Sequence, residues 1–150
     1  MDQGIDLPKV AEARGLQLHV LKASTASEID AVFAGLAQLP AGALFAGSDA
    51  FFDSRCDQII ALAACYRVPA IYDTPAFAAA GGLMTYGRSL TKAYTQLGVY
   101  AGEVVKGAKP ADLPVQQPTK LQLIIDLKTA KALRLTAPRL LLARADEVIE

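Results

Sequence analysis

The sequence predicts an α/β fold, a mostly parallel sheet flanked by helices. Three observations carry that expectation. Short apolar runs of strand length alternate with capped or amphipathic helical stretches, as repeated β-α-β order requires. Gly and Pro fall between those runs and punctuate them. The 150 residues, 53% hydrophobic and 20% charged, are enough for one domain with a packed core.

The elements follow in order. Asp6 with Pro8 marks a helix start and Gly15 a stop, giving a helix near Leu7 to Arg14. Leu16 to Leu21, with Gln17 and His19 interleaved, reads as a strand. Thr25-Ala26-Ser27-Glu28 is a capping box: the hydroxyl takes the Glu28 amide and the carboxylate reaches back to Thr25. Behind it Ile29, Val32, Phe33 and Leu36 recur at the spacing of one helical face, until Pro40 and Gly42 end the helix. Ala43 to Gly47 reads as a buried strand. Ser54-Arg55-Cys56-Asp57 forms a second box, starting a helix through Ile59, Ile60, Leu62 and Ala63 to about Tyr66. Val68 to Tyr72 is the next strand, closing at Asp73-Thr74-Pro75, and Leu83 to Tyr86 follows the pair Gly81-Gly82 as another.

Ser89 opens the longest helix, to about Lys106, with Gly107 as its stop and an apolar stripe of Leu90, Tyr94, Leu97, Ala101 and Val104. Lys109 to Pro118 is an irregular, Pro-rich connection. Leu121 to Ile125 is the expected last strand, Thr129 to Leu133 a short helix, and Pro138 to Glu150 a terminal helix. There is no repeat of fixed period and no low-complexity tract.

Several function classes are excluded early. Fifteen basic residues balance fifteen acidic ones, which gives no electrostatic reason to expect a nucleic acid or an anionic membrane as partner. Charges, Gly or Pro break the apolar stretches before they reach bilayer length, so no membrane insertion is expected. Met1 to Lys9 has no basic segment followed by an apolar run, so no signal peptide is expected. Cys56 and Cys65 fall nine positions apart in one predicted helix, on opposite sides, and are expected as buried or half-buried thiols rather than a bridge or a metal pair. His19 is the single histidine, mid-strand, and is expected to be structural or surface-exposed. Without a second histidine, a Ser-His-Asp or metal constellation has little to build from. Neither a phosphate loop nor a Gly-x-Gly-x-x-Gly run is present. The expectation is a protein that is not an enzyme and has no cofactor and no metal.

Ligands of open α/β sheets bind beyond the carboxyl ends of the strands. Three such loops hold unusual residues. In Gly47 to Asp53, Ser48 and Asp49 offer a hydroxyl and a carboxylate, Phe51 and Phe52 offer ring faces, and free helix amides lie beyond. The plainer alternative is that Asp53 or Ser54 caps the helix and one Phe fills the core. In Tyr72 to Phe77, Tyr72 ends a buried strand with its ring in a cleft and its hydroxyl free, or else it bridges core and surface. In Gly81 to Gly87, the glycine pair permits positive φ or close backbone approach before Tyr86-Gly87, or it is a turn before a strand.

Longer runs carry a resemblance. Pro69-Ala70-Ile71-Tyr72, Ala80-Gly81-Gly82-Leu83-Met84-Thr85-Tyr86-Gly87, Lys106 to Val115, Gln117 to Lys120, Asp126 to Leu133 and Leu142 to Ile149 resemble, in order, one family of ABC transporter substrate-binding proteins from about Val10 to Glu150. That resemblance implies a type I periplasmic-binding-protein fold, two α/β lobes that trap a ligand between them. Residues 1–150 would form the flavodoxin-like carboxy-terminal lobe. Residues 88–107 would cross to the other lobe, 108–118 connect, and 119–150 return. The amino-terminal lobe, the export signal and the first strand of the second lobe are expected to be missing.

The implied function is capture of a small molecule, an amino acid (notably an aromatic one) or a related compound, for delivery to an ABC permease. The intact parent would act in the periplasm or outside the cytoplasm. Ser48, Asp49, Phe51, Tyr72, Asp73, Tyr86 and Gly87 are expected to line this half of the cleft, an Asp carboxylate pairing with a ligand ammonium and the rings packing on its side chain. A helix stripe without its seat favours a homodimer or swapped oligomer. Two other readings are a truncated fragment stable only as an oligomer, and a ligand-sensing domain of a transcription regulator. The latter needs a basic helix-turn-helix ahead of the core, which Met1 to Lys9 lacks.

Overall fold

The computed structural model describes residues 7–36, 38–39, 41–115 and 121–150, except the side chains of Leu90 and Lys92. The chain divides into two compact units, Met1–Ala41 and Gly42–Glu150.

In the first unit, helix α1 spans Leu7–Ala13 and α2 spans Ala26–Leu36. The expected start at Asp6 and the stop at Pro40 lie outside the described residues. Ile29, Phe33 and Leu36 are buried and Val32 half-buried, as the helical spacing requires. The capping box forms in part. The Glu28 amide donates to the Thr25 hydroxyl at 3.2 Å, but the Glu28 carboxylate bonds the Ser24 amide and hydroxyl instead, at 2.7 and 2.9 Å. Those bonds, the Ser24 amide first, hold the Glu28 carboxyl below its ordinary range. The strand expected at Leu16 to Leu21 is not formed: the segment pairs with nothing, because every ladder among the described residues joins strands of the second unit. Polar–apolar alternation needs a partner's amides and carbonyls to become a strand.

The second unit holds a five-stranded sheet of β1 (Leu44–Ala46), β2 (Ala70–Tyr72), β3 (Met84–Arg88), β4 (Leu121–Asp126) and β5 (Glu147–Ile149), in that spatial order. All neighbours run parallel except β3 and β4. Its helices are α3 (Ala50–Ser54), α4 (Cys56–Cys65), α5 (Pro75–Ala79), α6 (Leu90–Val105), α7 (Leu127–Ala132) and α8 (Arg139–Leu142), with a 3-10 turn at Pro110–Asp112. The fold is therefore the predicted one, an α/β sheet, mostly parallel and flanked by helices.

Four local expectations are corrected. β1 is an edge strand rather than a buried one, and Phe45 on it is 58% exposed. The second capping box does not form, because Ser54 lies inside α3 and its hydroxyl bonds the Phe51 carbonyl at 2.6 Å. Cys56 is half-buried as expected, but Cys65, at the far end of α4, is exposed; both are free thiols. The terminal helix is only α8, after which Glu147–Ile149 pairs with β4, where Val148 and Ile149 suit a pleated surface better than a helix.

The helix ends share one device. Gly15, Arg67, Gly81, Gly107 and Arg134 are the residues with positive φ among those described. Each sits two positions past a helix, and the bonds around it are those of a Schellman motif: after α4, Arg67 N–H donates to Ala64 O and Val68 N–H to Ala63 O. Three of the five are Gly, which takes this backbone freely. Arg67 (φ 54°) and Arg134 (φ 59°) are not, and each stands at a cost of roughly 1 kcal/mol.

Candidate functional site

Parallel pairing decides where the loops go. Ala46 pairs with Tyr72 and Tyr72 with Thr85, so β1 and β2 end at one level while β3 runs three residues past it, to Arg88. Neighbouring strands lie about 4.8 Å apart, which places the loops after β1 and β2 side by side at one sheet edge, with Tyr86 and Gly87 of β3 next to the second. The Gly81-Gly82 turn precedes β3 and lies at the other end of the sheet, so the third loop reaches this edge only through Tyr86 and Gly87.

Two contacts stitch these loops together. The Thr74 hydroxyl, 8% exposed, lies 3.2 Å from an Asp53 carboxylate oxygen and 3.1 Å from one of Asp73. Asp53 is on α3, so the bond ties the first loop to the second. Thr74 stands at the N-cap of α5 but makes no side-chain cap bond, since its hydroxyl is directed to the two carboxylates. One hydroxyl has one proton, so it serves one carboxylate at a time and leaves the other open to a donor. The second stitch joins β2 to β3. A β-carbon on Gly87 would overlap the carbonyl of Asp73 and lie 3.0 Å from its Cα, so only glycine lets the two backbones meet.

Each expected residue has a definite place. Ser48 is exposed just before α3. Asp49 caps α3, accepting from the Phe51 amide at 2.7 Å. Phe51 is half-buried with its ring tilted 51° against Phe52, centroids 5.8 Å apart. Asp73 is half-buried in the stitched cluster. Tyr86 is 50% exposed, and the pleat sends it to the sheet face opposite its buried neighbours Thr85 and Gly87.

Tyr72 departs from expectation. It is 1% exposed, and its ring stacks on Phe77 with centroids 4.3 Å apart and an interplanar angle of 14°. A β-carbon on Gly82 would come within 2.8 Å of that ring. The ring thus leans back toward the residues before β3, away from the loop edge, and offers the cleft no face. Burial, with a smaller contribution from the Cys56 charge, pushes its phenol up to about 12.

Asp53 and Thr74 form the polar centre, and sequence reasoning assigned neither to the site. Thr74-Pro75 was the usable signal, an N-cap followed by Pro at the first helical position, which marks α5. His19 belongs to the first unit and to none of these loops. Among the described residues no group of His, Cys, Asp and Glu is arranged to hold a metal ion.

The pattern of the ABC transporter substrate binding protein family is matched over residues 5–149. Among solved structures, a conserved domain protein from Vibrio cholerae is 22% identical with a TM-score of 0.83, over 95% of this chain and 48% of that one. An ABC domain from Streptococcus pneumoniae in complex with L-Trp is 25% identical with a TM-score of 0.82, over 94% of this chain and 49% of that one. A ligand-free, open substrate-binding protein with adhesive properties from Clostridium difficile is 19% identical with a TM-score of 0.66, over 95% and 48%. The chain thus spans about half the length of these solved relatives. No curated protein is significantly similar to it.

Proposed function

The chain belongs to the family of ABC transporter substrate-binding proteins, and from that premise we propose that its stitched loop edge is one wall of an amino-acid-binding cleft. Solute binding is the role of the family, and the finer reading is an amino acid passed to an ABC permease outside the cytoplasm. Among the described residues no helix is long and apolar enough to cross a membrane.

The observation that carries the proposal is the Asp53–Thr74–Asp73 cluster. Two carboxylates share one hydroxyl, so a ligand ammonium completes the set with a charge-assisted bond. Phe51 and Tyr86, both accessible at this edge, supply ring surface for an apolar or aromatic side chain. The complex with L-Trp of the similar streptococcal domain favours the same ligand class.

The chain contains no Trp, so added L-Trp is read by its own emission above a tyrosine background. A titration should give a saturable change in emission and a rise in melting temperature, both weakened at least fivefold by Asp73→Asn. Identical behaviour of wild type and Asp73→Asn, or no saturation with any of the common amino acids, would reject the proposal.

A further inference from the structure

A cavity lies at the other end of the same sheet, away from the loop edge. It is about 170 Å³, open to solvent on one side, and is lined by α4, the start of β2, the Gly81-Gly82-Leu83 turn and α7. Ile60, Ala63, Ala132 and Leu133 give it an apolar lining, with the buried Tyr72 behind them among the lining residues. An apolar cavity of about 150 Å³ takes a benzene molecule, so this one has room for a single substituted ring.

One charge breaks that lining: Arg67. No acidic residue lines the space with it, and the Thr129 hydroxyl there is already committed to the Gly81 carbonyl at 2.8 Å. Arg67 also occupies the left-handed position that ends α4, where α1, α5 and α6 use glycine. Complementing the α4 dipole accounts for a cation near this end. It does not account for a side chain at the one position where glycine fits without strain, since a basic residue one or two positions earlier serves the dipole as well. Arg134 carries the same strain outside the cavity, so the strain alone assigns no role, and it is the lone cation beside an otherwise apolar lining that points to an anionic partner.

We propose that this cavity is a ligand site, separate from the loop edge, for a small planar molecule with one anionic group, an aromatic monocarboxylate. The ring packs among Ala63, Ala132 and Tyr72, and the carboxylate meets the Arg67 guanidinium at the rim.

The test uses the whole chain, with benzoate as probe and benzyl alcohol as its uncharged counterpart, followed by calorimetry and by amide shifts. Benzoate should bind saturably and shift amides at Ala63, Arg67, Gly82 and Ala132, and benzyl alcohol should bind at least fivefold more weakly. Arg67→Gly should raise the melting temperature by roughly 3 °C while weakening benzoate about tenfold. Arg134→Gly relieves the same strain outside the cavity and should raise the melting temperature without touching benzoate binding. Ala132→Leu, which fills the cavity from an exposed position, should abolish binding. The L-Trp response at the loop edge should survive all three substitutions, so failure here and failure of the cleft reading are told apart. Absence of benzoate binding, or equal binding by wild type and Arg67→Gly, overturns the proposal.

Discussion

Among the glycines described, Gly87 is the one where an added β-carbon meets the tightest contact, so Gly87→Ala is the sharpest test of the site's backbone. The added carbon would overlap the Asp73 carbonyl and come within 3.0 Å of its Cα, and all of these are backbone atoms with no rotamer to turn away. Ordinary carbon contact begins near 3.5 Å, so the end of β3 must part from the β2 loop by roughly 2 Å. β3 is held on its other side by β4, where Gly87 pairs with Gln122, so the movement falls on Asp73 and Thr74. Overpacking of this kind costs at least about 3 kcal/mol, or roughly 10 °C in melting temperature for a chain of this length. It should also pull Thr74 from Asp53 and reduce the L-Trp response. Gly98→Ala is the control: it lies in α6 with nothing within 4 Å and should stabilise by about 0.5 kcal/mol. Paired urea melts decide the matter. A Gly87→Ala midpoint within error of wild type would refute the backbone contact on which the site is built.

Three further outcomes follow from the same structure. Thr74→Ala should cost about 1 kcal/mol in denaturant melts and weaken L-Trp, whereas Thr74→Ser, which keeps the hydroxyl, should restore most of both. The Tyr72 phenol, raised by burial, keeps its proton up to about 12 in the folded state and loses it near 10 when unfolded. Its contribution is therefore full below pH 10 and is lost as pH rises toward 12, on the order of 2–3 kcal/mol, a loss that Tyr72→Phe should remove in alkaline melts. On α6, Tyr94 and Leu97 are 69% and 66% exposed on the predicted stripe, while the Leu90 side chain lies outside the described residues. Self-association through that face should appear as a dimer in sedimentation at micromolar concentration and vanish in Leu97→Asp; a monomeric wild type would dismiss it.

Much of this architecture was legible from local chemistry. Gly15 and Gly107 mark helix ends because the left-handed cap favours them, whereas Gly81 reads only as part of a turn and the short α5 before it goes unseen; the β2–β3 spacing follows from apolar runs bounded by Asp73 and Gly82. What escaped depends on partners distant in sequence. Leu16 to Leu21 has the pattern of a strand but no ladder, while Glu147–Ile149 has a weaker pattern and gains one from β4. Among the site residues, Asp73 and Gly87 were named for their loops, yet their mutual contact is a property of the β2–β3 register. Tyr72 failed for a related reason: the end of a strand does not say which way a ring leans, and Gly82 and Phe77 turn this one inward. Thr74 escapes because Asp73-Thr74-Pro75 reads as the close of a strand, and only the fold brings Asp53 to its hydroxyl.

The central claim is most directly tested by recording backbone amide shifts of the whole chain as L-Trp is added. Shifts concentrated at Ser48, Asp49, Asp53, Asp73, Thr74 and Tyr86 are the expected result. Shifts confined to the opposite end of the sheet, around Arg67 and Ala132, would contradict it.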